Sequence, residues 1–184
     1  MKISIASDHA GFELKRFLAA ELEAKGHEVH DHGAHDFSPD DDFPIYIAKV
    51  AEDISKHEES IWNGTRTSHT ANGEKRLKHP NDREMAGIVI GGSGQGEAIA
   101  ANKFPHVRAA VIYGGKAAGG SSLLVETIAK LSRQHNDANI LSFGARFIDQ
   151  EEALKVVEIW LAEPFSHDPK YERRNDEIEQ IEEL

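Results

Sequence analysis

The stretch 87–103, GIVIGGSGQGEAIAANK, reads as strand, glycine-rich turn and helix, and the fold follows from it. Residues 87–90 are a short apolar run with β-branched side chains, which suits a buried strand. Gly91, Gly92, Gly94 and Gly96 then form a turn whose N–H groups can approach a ligand closely, because no Cβ intervenes. A helix is expected from Glu97, its first-turn amides facing the same spot. Such a turn holds an anion, either a phosphate or charge that develops during a reaction.

Outward from this unit the pattern repeats. Residues 2–7 alternate around Ile3 and Ile5 and run into Asp8-His9-Ala10-Gly11, a strand end passing into a helix start. Phe12, Leu14, Phe17, Leu18 and Leu22 give residues 12–25 helical spacing, and Gly26 is a natural stop. A weaker strand is expected at 27–32, a polar acidic loop at 33–42, and a helix opened by Pro44 and running to about 56. Residues 63–82 carry turn signals and mixed charge without apolar period, as a surface insertion would. After the glycine turn come a fourth strand at 106–113, a small-residue loop at 114–122 and a helix at 123–133. A fifth strand at 138–142, a helix capped by Asp149 and a charged C-terminal helix at 171–184 complete the chain. The alternation predicts an α/β protein: a single domain, residues 1–184, built as a three-layer α/β/α sandwich around a five-stranded parallel Rossmann-like sheet. Ligands bind such sheets outside the carboxyl ends of the strands, which here means Asp8-His9, the glycine turn, residues 113–116 and residues 144–146.

Composition narrows the function. The formal net charge of −11 opposes non-specific nucleic-acid binding, since counterion release needs a basic face. No apolar run is long enough to span a membrane and no secretory leader is expected, so the prediction is a cytoplasmic protein. With no cysteine there is no thiol nucleophile. The glycine turn fits neither common nucleotide motif. A dinucleotide fingerprint lacks its acidic partner, and a phosphate loop would place Lys where Glu97 stands, so that a carboxylate would face a phosphate. Glu97 and the turn agree better if the anion is transient: a carboxylate that removes a carbon-bound proton beside amides that hold the enediolate oxygen. The bland alternative is that Glu97 merely favours a helix N-terminus.

SDHAGFELK near the N-terminus, GGSGQGEAIAANK in the middle and SRQHNDANILSFGAR at 132–146 together resemble the type B ribose-5-phosphate isomerase family, which includes the bacterial galactose-6-phosphate isomerase subunits. Many members of that family have a cysteine base at the position of Gly91; a second branch has glycine there and uses a glutamate matching Glu97. This chain resembles the second. The resemblance implies that Glu97 moves the proton between C2 and C1, that Ser93 and the amides of Gly92, Gly94 and Gly96 steady the enediolate, and that Asp8 shares in ring opening. His135 matches the ring-opening acid and Asn136 a sugar-hydroxyl contact, although both could simply end a helix. Arg146 and His9 match phosphate contacts; His9 could instead be only a neighbour of a helix cap. The family's Arg-His-x-x-Arg run, which also holds phosphate, stands here as Lys170-Tyr171-Glu172-Arg173-Arg174, so Arg174 fits, Lys170 is a substitution and the histidine is missing. Lysine lacks arginine's bidentate fork, and Lys170 and Arg174 could also be a solvated helix face.

The resemblance implies an aldose–ketose isomerase of a sugar phosphate, ribose 5-phosphate first, acting without metal or cofactor in a homodimer whose pocket lies between subunits, with assembly to tetramers left open. The rivals are a tetrose or hexose phosphate such as galactose 6-phosphate, and a non-catalytic sugar-phosphate or nucleotide-binding module. His27, His30, His32 and His35 with Asp31 and Asp36 have the composition of a metal site, but solvated strand-edge histidines are commoner and no metal is assigned.

Overall fold

The computed structural model describes residues 1–65, 84–115 and 121–181, with 62–65 known by backbone alone. Five strands, β1 (Lys2–Ser7), β2 (Glu28–Asp31), β3 (Met85–Gly91), β4 (Ala109–Ile112) and β5 (Ile140–Gly144), form one sheet in the order β2-β1-β3-β5-β4. Every pairing is parallel. The helices are α1 (Phe12–Ala24), α2 (Pro44–Thr65), α3 (Gln95–Ala101), α4 (Ser122–Asn136), α5 (Gln150–Ala162) and α6 (Pro169–Ile181). The predicted α/β sandwich is therefore present, with boundaries moved. α2 runs to Thr65 rather than about 56, α3 starts at Gln95 rather than Glu97, and α4 continues to Asn136.

Alternation along the strands divides the core. Ile3, Ile5, Ile88, Ile90, Leu141 and Phe143 point to one face and pack under α1, α4 and α5 with Leu18, Leu22, Ala129 and Trp160. On the other face Ala6, Val89 and Ile140 meet Ile47, Val50, Ala51 and Ile54 of α2 and Ala101 of α3. Small residues let α2 approach closely there. A Cβ on Gly87 would lie 2.7 Å from Ile140 Cγ1 and 3.1 Å from Val50 Cγ1. At the exposed edge, Asn102 accepts from the Ala109 amide (2.7 Å) and donates to its carbonyl (3.1 Å), occupying the ladder positions of β4 that a further strand would use.

Strand order fixes where a ligand can enter. The chain leaves β1 through α1 on one face, leaves β3 through α3 on the other, and leaves β5 through α5 on the first face again. The connections after β1 and β5 thus diverge from the one after β3, opening a crevice on both sides of the glycine turn. The expected surface insertion falls largely on 66–83, outside the described residues; its flanks, Thr65 and Met85, stand at the amino ends of the strands, opposite that crevice.

Candidate active site

Glycines shape the turn after β3. Gly94 has φ +74 and its Cα backs onto the Phe143 and Gly144 backbone, where an added Cβ would lie 2.9 Å from the Gly144 nitrogen. Ser142 Oγ donates to the Gly94 carbonyl at 2.6 Å, tying the turn to β5. Gly91 is the decisive position. A Cβ there would fall 1.7 Å from Glu97 Oε1, because the Glu97 carboxylate folds back into the space a side chain at 91 would fill. Glycine at 91 and glutamate at 97 are sterically coupled.

Glu97 is 4% exposed, and its Oε2 is buried without a hydrogen-bond partner among the described residues. Burial raises its pKa above the ordinary carboxylate range, the nearby Asp8 carboxylate adds to the rise, and the amides of Glu97 itself and Gly94 pull the other way. Burial is the largest of these effects. Asp8, buried at the end of β1, accepts from the Ala10 (3.0 Å) and Gly11 (3.3 Å) amides and so caps the 3₁₀ turn His9–Gly11. The cap is Asp8, and His9 projects beside it. Ser93 is exposed at the crest of the turn, its Oγ accepting from the Gln95 amide at 3.3 Å. Arg146, just beyond β5, lays its guanidinium against Gly92, where a Cβ would stand 3.1 Å from Cζ. Phe43 closes the turn from the α2 side, within 2.8 Å of a Cβ built on Gly96. Glu97, Asp8, Ser93, Arg146, His9 and the glycine amides are therefore gathered at the carboxyl ends of β1, β3 and β5.

His135, Asn136, Lys170 and Arg174 are elsewhere. His135 and Asn136 form the last turn of α4, immediately before β5, and so lie at the amino ends of the strands. The length of β5 separates the two groups, on the order of 15 Å at about 3.3 Å per residue. A base and an acid serving adjacent carbons must each come within hydrogen-bond reach, and one chain does not bring Glu97 and His135 that close together. The His135 ring stacks on Tyr171, centroids 4.0 Å apart and planes at 20°. Lys170 Nζ lies 4.4 Å from the Tyr171 centroid and the Arg174 guanidinium carbon 5.9 Å from it. Tyr171 occupies the place of the histidine in the family's Arg-His-x-x-Arg run, and it joins His135 to both cations.

Beneath this second cluster is a buried ionic hub. Arg108 donates to the Asn136 and Asp137 carbonyls, to Asp137 Oδ2 (3.2 Å) and to Glu179 Oε1 (2.8 Å), and Glu58 Oε2 of α2 is 3.6 Å away. Of the histidines along β2, His30 and His32 pair with separate carboxylates: His30 Nε2 is 2.9 Å from Glu28, and His32 Nε2 is 2.7 Å from Asp53 of α2.

A family model described as Ribose/Galactose Isomerase matches residues 3–74 and 65–178. The ribose-5-phosphate isomerase B of Mycolicibacterium paratuberculosis is 36% identical over 182 residues, covering 99% of this chain and 92% of that protein. The chain belongs to the ribose/galactose isomerase family. The Escherichia coli ribose-5-phosphate isomerase B is a further relative in this family, 34% identical over 98% of this chain and 96% of its own length. Among solved structures of the family, the Mycoplasma genitalium ribose-5-phosphate isomerase B with bound ribulose 5-phosphate superposes with TM-score 0.75 at 31% identity, covering 99% of this chain and 96% of that one. The Clostridium thermocellum enzyme gives the same TM-score at 36% identity, over the whole of this chain and 98% of that one.

Three residues beside these two groups are not singled out by the sequence. Asp41 lies in an acidic loop and its Oδ1 is 2.7 Å from His9 Nδ1, Phe43 meets a glycine 53 positions later, and Tyr171 stands where the family run has histidine. Only Tyr171 had a signal, its register within the Lys-x-x-x-Arg run.

Proposed function

We propose that this protein interconverts ribose 5-phosphate and ribulose 5-phosphate by metal-free proton transfer through a cis-enediolate, acting as one isomerase domain. Glu97 takes the C2 proton and returns it at C1, while a hydroxyl proton passes from O2 to O1; the turn amides and Ser93 hold the charge that forms on oxygen. The observation that carries the reading is the Glu97 carboxylate itself: folded into the space left by Gly91, buried, with one oxygen unpartnered and its pKa raised by that burial. The family and the ribulose 5-phosphate bound by the Mycoplasma relative support the substrate. The test is exchange of the C2 proton in deuterated water across four-, five- and six-carbon aldose phosphates, followed by turnover. Exchange with ribose 5-phosphate is expected; exchange confined to a tetrose or hexose phosphate would reassign the sugar, and no exchange with any would leave a binding module.

The site is completed by a second copy of the chain. Two observations support this: the Glu97 and His135 groups are too far apart within one chain, and α4 exposes an apolar stripe, Leu124, Ile128 and Leu131, that leads to His135. In a homodimer, His135, Asn136, Lys170 and Arg174 of each chain would serve the Glu97 crevice of its partner, with Lys170 and Arg174 meeting phosphate opposite Arg146. No described helix is long and apolar enough to cross a membrane, and a cytoplasmic site of action accords with that.

A further inference from the structure

The loop between β2 and α2 brings one carboxylate to the crevice that the isomerase reading leaves unused. Asp41 accepts from the His9 backbone amide at 2.9 Å and from its ring Nδ1 at 2.7 Å, both on Oδ1. Its side chain is 6% exposed, and its Oδ2 has no partner among the described residues. A carboxylate can only accept, so Nδ1 must carry a hydrogen. The other ring nitrogen, Nε2, is then the variable one, an acceptor in neutral imidazole and a donor in imidazolium. The His9 side chain is 31% exposed at the carboxyl end of β1, and Nε2 has no protein partner among the described residues.

We propose that Asp41 is a positioning residue for substrate binding: by holding both the His9 amide and its Nδ1–H, it fixes the ring so that Nε2–H is a charged donor to the phosphate of the substrate. The inference rests on the isomerase reading above for its substrate. It assigns a task to a residue of the acidic loop whose sign would otherwise repel a phosphate. Asp41 does not meet the phosphate; it supports the cation that does. The hydrogen bond to Asp41 raises the His9 pKa above its ordinary 6.5, with Asp8 adding to the rise and desolvation opposing it. The titratable groups facing the pair are the Asp8 carboxyl from the end of β1 and the neutral phenol of Tyr46 of α2, which burial and Asp41 keep protonated. Asp8, His9 and Asp41 place one ligand atom each within 4.8 Å of one another, so a cation is the competing occupant.

The experiment pairs Asp41→Asn, which keeps the shape and an acceptor but removes the charge, with His9→Gln and the double variant. Affinity for ribose 5-phosphate is measured by calorimetry in a Glu97→Gln background, and kcat and KM in the otherwise native protein. Asp41→Asn should raise KM about tenfold near pH 7, as loss of a charge-assisted hydrogen bond does, with kcat changed less than about twofold. Its weakening of binding should begin at lower pH than in the wild type, because the imidazolium is lost as pH rises through a lower His9 pKa; the ring titration, followed by NMR, should shift down with it. In the His9→Gln background Asp41→Asn should add nothing. An equal loss in that background would make Asp41 merely structural, and an unchanged KM and ring titration would remove it from binding; either overturns the proposal. So would a KM that rises when wild-type protein is treated with a chelator, since the cluster would then hold a cation. The NMR titration needs no turnover, and so separates failure of this inference from failure of the isomerase reading.

Discussion

Glu97 and Gly91 act as one unit. Because the carboxylate fills the volume of a side chain at 91, Gly91→Ala should push it out, lowering kcat by on the order of a hundredfold or more in steady-state assays while the fold persists, since general base catalysis depends on hydrogen-bond reach. Glu97→Gln should lower kcat by at least about a thousandfold with sugar-phosphate affinity kept, by the same reasoning. It has a second, independent signature. The folded state holds the Glu97 proton above the ordinary pKa of 4.5, so as pH rises from there the unfolded chain releases its proton first and the fold loses stability. Glutamine escapes that loss. Scanning calorimetry should therefore find Glu97→Gln melting above the wild type at pH 7, with the difference gone below about pH 4.5; equal melting at both would mean the carboxylate is not desolvated.

Elements place these residues through their ends. β1, β3 and β5 deliver Asp8, the glycine turn and Arg146 to one rim because the strands are parallel and in register, Gly91 opposite Gly144 and Ser7 opposite Ile90. At the other rim, α4 and α6 are joined by Arg108, which reaches the end of α4 through two carbonyls and α6 through Glu179. The residue is 8% exposed and faces buried carboxylates of Glu58 on α2, Asp137 just after α4 and Glu179 on α6, so its removal strands charge. Arg108→Ala should cost about 3–5 kcal/mol in denaturant unfolding. A loss below about 1 kcal/mol would mean that water relieves the carboxylates.

In the whole molecule, the proposed reading divides one chemistry between the two rims. If each crevice is completed by the partner, Glu97→Gln and His135→Ala are defects of different halves. Mixed and reassembled, the two inactive proteins should recover about a quarter of wild-type activity, since half the dimers would be mixed and each would keep one intact site. Recovery near zero, with mixed dimers verified by mass, would place His135 outside the shared site. Substituting Leu124 and Ile128 by Glu should give monomers in sedimentation and abolish turnover together.

The strands, the glycine turn and the placing of Glu97 and Arg146 beside it could be read along the chain because they are local: apolar alternation, glycine spacing and a motif run carry them within a few residues. The register of β2, the length of α2 and the C-terminal turn of α4 were less legible, because tertiary packing extends or trims what propensity starts. Three-dimensional packing alone put the Glu97 carboxylate inside the vacancy at Gly91, Asp41 against His9 across 32 positions, and Tyr171 against His135 across 36. It also decided which motif residues of one chain share a rim, parting 93–97 from 135–136, because a strand's two ends are joined covalently yet lie on opposite rims of the sheet.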